Sequence, residues 1–181
     1  MKYLVAIPVP QSAASLLSAI KERLRPVHWR ETMPPHITLL APGAPLMDPA
    51  DAVAAFSGAA LPESNFTWHT RGVTRFNRRH RTTLVITPDD PLPLQRLFDQ
   101  LVRNAPWQNT DTSTGRNFEP HITLINQLPT EDLPAATAVL ESCDLGISFT
   151  PEHLCLYHKQ TSWPEWKVLA IKPLKNADLH H

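Results

Sequence analysis

The sequence predicts one mixed helix-and-strand domain made of two duplicated lobes, and three observations carry that expectation. Apolar segments of strand period and of helix period alternate along the chain. The pentapeptide Pro-His-Ile-Thr-Leu stands at residues 35–39 and returns unchanged at 120–124. In both halves the histidine-bearing strand is followed by a helix and then by a strand pair. At 181 residues and 42% hydrophobic, the chain can fill a single core and is too apolar for disorder. A half carrying one motif would be marginally small alone, so residues 1–181 are taken as one domain. Nineteen prolines against five glycines predict short elements with many boundaries.

Lys2 to Val9 is apolar and partly alternating, and reads as a strand ended by Pro8 and Pro10. Gln11 to Arg25 sets Leu16, Leu17, Ile20 and Leu24 on one helical stripe, with Ser12 as cap and Pro26 as stop. His36 to Ala41 is a second strand, and Pro49 to Phe56 a short helix capped by Asp48. Phe66 to Phe76 and Thr82 to Thr87 form a predicted hairpin whose tip, Asn77 to Arg81, is basic. The helix from Pro93 to Ala105 gathers Leu94, Leu97, Phe98 and Leu101 on one face and stops at Pro106. After a polar connection a strand starts at His121, and a helix runs from about Glu131 to Leu140. Ile147 to His158 and Trp166 to Ile171 read as the last two strands.

Lysine plus arginine total 17 and aspartate plus glutamate total 17, so a global electrostatic lure for nucleic acid is excluded and any such contact must be local. Arg71, Arg75, Arg78, Arg79 and Arg81, with no acid among them, are the candidate patch. They read either as a solvated hairpin tip or as a rail for an RNA backbone, with Arg81 the candidate contact. Cys143 and Cys155 are too few for a disulfide framework. The start of the chain has no charged-then-apolar leader, and no apolar run reaches the roughly 20 residues of a membrane helix. The expectation is a cytoplasmic protein without a membrane partner.

Strand alternation puts His36, Thr38 and Leu40 on one face and Ile37 and Leu39 on the other; His121 and Thr123 repeat the polar pair, Ile122 and Leu124 the apolar one. The isoleucines and leucines are candidate core. Histidine and threonine pointing into a core would each need hydrogen-bond partners, whereas two pairs opening onto one cleft would surround a phosphate with imidazoles and hydroxyls. Satisfied structural histidines and a phosphate cleft both remain compatible with the residues alone.

The two motifs, His36-Ile37-Thr38-Leu39 and His121-Ile122-Thr123-Leu124, together with their order and spacing, closely resemble the two-histidine phosphoesterase superfamily. That superfamily includes bacterial RNA 2′,3′-cyclic phosphodiesterases and proteins called 2′–5′ RNA ligases, and the resemblance spans most of the chain. It implies an α+β fold of two pseudo-symmetric lobes, with antiparallel sheets lining a central groove and helices outside. It implies His36 and His121 as acid and base, and Thr38 and Thr123 as phosphate-binding hydroxyls. The chemistry is consistent: a neutral imidazole removes a proton from water and an imidazolium protonates the departing ribose oxygen, both states being accessible near neutral pH. The expected reaction is opening of a 2′,3′-cyclic phosphate at an RNA end or on a small nucleotide to a 2′-phosphomonoester, with His121 the base and His36 the acid. The alternatives are 2′–5′ RNA ligation and a noncatalytic RNA- or nucleotide-binding module. One departure bears on the choice. Family members often carry arginine five positions after the second histidine, where this chain has Asn126, which lacks arginine's permanent charge and rigid fork of donors.

Tyr157 and Trp163 are candidate stacking partners for a nucleobase at the end of the groove, and Trp166 is read as core packing. The expected partner is an RNA terminus or cyclic nucleotide, and a monomer suffices for the groove. No metal or other cofactor is expected. The histidines do not form His-Glu-x-x-His and lack adjacent carboxylates, the two cysteines are isolated, and His180 and His181 belong to a frayed end.

Overall fold

Alternating apolar side chains draw the strands into one antiparallel sheet, and the prolines mark most of its breaks. The structure is a computed structural model describing residues 1–24, 33–43, 48–61, 66–104 and 118–174. Pro26, Pro106, His180 and His181 lie outside the described residues, as does the side chain of Arg78. The elements are β1 (Lys2–Pro8), α1 (Gln11–Leu24), β2 (His36–Gly43), α2 (Pro49–Gly58), β3 (Trp68–Arg78), β4 (Arg81–Pro88) and α3 (Leu92–Asn104). They continue with β5 (Ile122–Pro129), a 3-10 turn at Thr130–Asp132, α4 (Leu133–Glu141), β6 (Ser148–Phe149), β7 (His153–Lys159) and β8 (Lys167–Pro173).

The strands form one eight-stranded sheet in the order β6-β3-β4-β5-β2-β1-β7-β8, so the two motif strands, β5 and β2, are neighbours at its centre. The order also demands curvature. β6 and β7 are six strand spacings apart, about 29 Å in a flat sheet, yet the chain passes from Phe149 to His153, a path of at most about 14 Å. The sheet must therefore curl until its two ends approach each other, which brings β6 and β7 within reach of one short connection.

Helices cover the apolar face. α1 packs on β5 and α3 on β2, so each motif strand is roofed by a helix from the other half of the chain, while α2 lies on β8. Ile37, Ile122 and Leu124 are fully buried beneath them, with Leu17, Leu97 and Leu101. The α3 face forms as predicted, and half-buried Phe98 stacks on Phe118 at 4.4 Å. Asp48 caps α2, accepting a hydrogen bond from the Asp51 amide at 2.9 Å, with Pro49 opening the helix. At the other end of α2, the Lys172 ammonium donates to the carbonyls of Ser57 and Ala59 at 2.5 and 2.6 Å, tying the helix C-terminus to β8.

Four readings of the sequence are corrected. Ser12 is not the cap of α1, because the helix starts one residue earlier, at Gln11. Leu16 is 44% exposed, and the buried stripe of α1 runs instead through Ala13, Leu17, Ile20 and Leu24. Ile147 to His158 is not one strand: the chain leaves the sheet around Pro151, and its two parts, β6 and β7, pair with β3 and β1. Leu40 does not share the face of His36 and Thr38. Val5 pairs with Leu40 and Ala6 with Thr38, so β2 carries an extra residue at Leu39, and this bulge turns Leu40 into the core at 8% exposure.

Candidate active site

The two motif strands place their polar residues by the same local devices. β5 bulges as β2 does: Val85 pairs with Thr123 and Leu84 with Ile125, leaving Leu124 as the extra residue. Both bulges fall immediately after the motif threonine, and each sends two successive apolar side chains, Leu39 with Leu40 and Leu124 with Ile125, into the core. The strands pair antiparallel through Ile37 and Ile122. That register sets His36 beside Thr123 and Thr38 beside His121, all four on the face opposite the buried isoleucines. The two histidines are diagonal neighbours, about 7–8 Å apart, a span that a phosphate with a hydrogen bond on either side can bridge.

Each imidazole is also held alike. His36 Nδ1 lies 2.8 Å from the Pro34 carbonyl oxygen, and His121 Nδ1 lies 2.7 Å from that of Glu119. A carbonyl only accepts, so both Nδ1 atoms carry a proton and donate it, which leaves Nε2 as the nitrogen that gains and loses one. The bond turns Nε2 away from the backbone. The intervening residue is proline in both motifs, Pro35 and Pro120. Its fixed φ constrains how the preceding carbonyl lies relative to the imidazole. The repeated proline was visible in the sequence, where it read only as a strand boundary.

Burial pushes the His121 pKa below its ordinary 6.5, against the opposing pull of the Glu119 carbonyl and carboxylate. His158 is lowered as well, by burial and then by nearby Lys167. At both sites the folded state binds fewer protons than the unfolded chain between the lowered pKa and 6.5. Stability is therefore expected to rise with pH through that window and to fall as the solution is acidified through it. Urea midpoints between about pH 5 and pH 7 measure this. A midpoint that stays level across the window contradicts the burial of both rings.

Asn126 follows the β5 bulge, and its carboxamide oxygen accepts a hydrogen bond from the Thr83 hydroxyl at 2.8 Å. The oxygen thus engaged, the NH2 group is the remaining polar end of the side chain. Gln127, next along, has a positive φ of 55°, and its carbonyl accepts from Arg81 Nη1 at 3.1 Å. Arg81 thus braces an irregular strand end. Arg75 donates to the Thr137 hydroxyl of α4 at 3.3 Å, so these two arginines engage different elements and do not line one rail.

The aromatic candidates Tyr157 and Trp163 sit in different surroundings. Tyr157 faces the same side of the sheet as Thr38 but is only 4% exposed, packed with Leu4, Ala6, Met33 and Cys155, and half-buried Trp166 packs against this cluster. Trp163 meets the His158 ring edge-on at 5.0 Å, with the Lys167 ammonium 4.5 Å from its centroid. His158 pairs with Tyr3, and Tyr157 with Leu4, so the two side chains point to opposite faces. Residues the sequence did not single out include Phe76, whose ring meets His121 edge-on at 5.1 Å. Among the described residues no three His, Cys, Asp or Glu side chains are gathered as a metal site requires, and no helix is long and apolar enough to cross a membrane.

Two His-x-Thr strands joined at the centre of one antiparallel sheet also describe a known family. The model of the 2′-5′ RNA ligase superfamily matches residues 8–163. The chain belongs to that superfamily. Its fold is that of the two-histidine phosphoesterases, and membership gives it an enzymatic, phosphodiesterase- or ligase-like activity on nucleotide phosphate ends. Among solved structures it is similar to TT0787 of Thermus thermophilus, at 19% identity and TM-score 0.70, covering 98% of this chain and 100% of that one. LigT of E. coli in complex with 3′-AMP shares 18% identity with a TM-score of 0.68, covering 97% of this chain and 98% of that one. A more distant likeness is to Usb1 of Kluyveromyces marxianus with uridine monophosphate, at 10% identity and TM-score 0.55, covering 96% and 97% of the two chains. A comparison with curated protein sequences finds no match.

Proposed function

We propose that this member of the superfamily opens a 2′,3′-cyclic phosphate, at an RNA end or on a small nucleotide, by metal-independent hydrolysis to a 2′-phosphomonoester. The observation that carries the reading is the matched pair of imidazoles. Both donate through Nδ1 to a backbone carbonyl two residues upstream, which leaves both Nε2 atoms for proton transfer on the face that also bears Thr38 and Thr123. Crystals of E. coli LigT hold 3′-AMP, ATP, NADP+ or phosphate, so the same fold accepts nucleotides and free phosphate.

In this reading His121 enters neutral, which its lowered pKa favours, and its Nε2 takes a proton from water. The water oxygen bonds to phosphorus, the bond from phosphorus to the ribose 3′ oxygen breaks, and the His36 imidazolium gives that oxygen its Nε2 proton. One water is consumed, and the two rings exchange protonation states before solvent resets them. Thr38 and Thr123 donate hydrogen bonds to the non-bridging oxygens as negative charge builds there. Asn126 adds no positive charge, whereas the imidazolium does.

The same reading takes residues 1–181 as one domain of two lobes related by a local two-fold axis through the Ile37–Ile122 pair. Its support is the mirrored strand order to either side of that pair, β5-β4-β3-β6 against β2-β1-β7-β8, together with the matching bulges and histidine bonds. The test incubates the 2′,3′-cyclic phosphates of all four nucleosides, and short RNAs with cyclic ends, with a chelator and no nucleoside triphosphate. The phosphate position is then read by phosphorus NMR. A 2′-phosphomonoester is expected. Tight binding with no product would favour the binding module, and joining to a 5′-hydroxyl RNA would favour ligation.

A further inference from the structure

We infer that Phe76 is a positioning residue for His121, fixing the plane of its imidazole and keeping water from one side of it. The inference rests on the proposed role of His121 as base. The geometry is a T-shaped contact: ring centroids 5.1 Å apart and planes at 87°. Phe76 comes from β3, which is separated from β5 by β4 in the sheet. It reaches His121 because β3 also bulges. Thr70 pairs with Pro88 but Gly72 with Thr87, so the face of β3 changes between those residues and Gly72, Thr74 and Phe76 turn to the side of the motif histidines.

One hydrogen bond leaves an imidazole incompletely placed. The bond from His121 Nδ1 to the Glu119 carbonyl fixes the tautomer and one direction, but the ring can still tilt about that axis. A perpendicular aromatic ring blocks the tilt without offering a competing hydrogen bond, and a half-buried hydrocarbon surface excludes water there. Among the described residues, the remaining groups that face His121 are Thr38 on β2 and Thr87 on β4 by strand register, His36 at the diagonal, and Glu119 just before its own strand. Of these only His36 and Glu119 can carry charge. Glu119 draws the His121 pKa upward, so the net lowering comes from burial, to which Phe76 contributes.

The experiment follows the His121 Cε1 proton by NMR through a pH titration, in the intact wild-type chain and in Phe76→Ala, Phe76→Leu and Phe76→Tyr. The midpoint in Phe76→Ala is expected to move up toward 6.5, the ordinary value. Phe76→Tyr, which keeps the ring, is expected to stay at the wild-type midpoint. Phe76→Leu, which keeps apolar cover without the ring, should fall between them and serves in place of the alanine variant if that one fails to fold. With a cyclic nucleotide the acid limb of kcat/KM should follow the same order. Loss of ring alignment is expected to lower kcat by about tenfold and at most about 10²-fold. An unchanged or lowered midpoint in the alanine and leucine variants overturns the inference, as does a tyrosine midpoint raised as far as alanine's. The titration needs no turnover, so failure of the hydrolytic reading and failure of the Phe76 contact give different results.

Discussion

Replacing either His36 or His121 with alanine is expected to lower kcat/KM for a nucleoside 2′,3′-cyclic phosphate by about 10²- to 10⁴-fold, with the fold retained. Both rings are half-buried on the face opposite the core isoleucines, and each donates through Nδ1 at its own strand entrance, so removing one leaves the apolar core in place. The double variant should be scarcely slower than either single one. A base without its acid, or an acid without its base, leaves the other half of the proton exchange idle, so the two losses do not add. Multiplying losses would mean that the rings act independently, which the shared phosphate does not permit.

The two variants should also differ from each other. A better leaving group, such as a 3′-thio analogue, needs less protonation, so it should partly restore His36→Ala and leave His121→Ala slow. Equal rescue would remove the assignment of acid and base. The pH profile gives the same information another way. Wild-type kcat/KM should be bell-shaped, its acid limb reporting deprotonation of the base and its alkaline limb loss of the acid's proton. His121→Ala should lose the acid limb and His36→Ala the alkaline one.

What the sequence revealed and what it hid follow from the range of each signal. Period-two alternation is local, so it separated Ile37 and Ile122 from the histidines correctly as far as Thr38 and Thr123. It failed at Leu40 in β2, because a bulge breaks the period and nothing in the run Thr-Leu-Leu distinguishes a bulged strand from a regular one. The run from Ile147 to His158 looked continuous because both parts are apolar. Only the curl of the sheet shows that Phe149 and Leu154 sit in strands with different partners. The contact of Phe76 with His121 spans 45 positions in the sequence and depends on the β3 bulge, so no spacing rule could find it. The proline of the pentapeptide was available from the start. Its value lay in being repeated at the same distance from the histidine, a regularity that pointed to geometry at least as much as to strand limits.

The centre of the sheet should be its most sensitive point. Ile37 and Ile122 are both fully buried and stand directly opposite each other. Ile37→Ala and Ile122→Ala are each expected to lower stability by about 2–5 kcal/mol, a large share of the roughly 5–15 kcal/mol that holds a domain of this size folded. The double variant should cost less than the sum, since the first truncation already removes the contact between the two side chains. Urea unfolding of the four proteins measures the difference, and agreement with the sum to within about 0.5 kcal/mol would show that the pair is uncoupled. Activity adds a second reading. Leu156→Ala, fully buried in β7, removes similar volume from a strand that bears no motif residue. At temperatures where both variants are folded, Ile122→Ala should slow turnover more than Leu156→Ala. The lost methyl groups lie directly beneath the strand that carries His121 and Thr123, and a small shift there changes the distance across which the proton must pass.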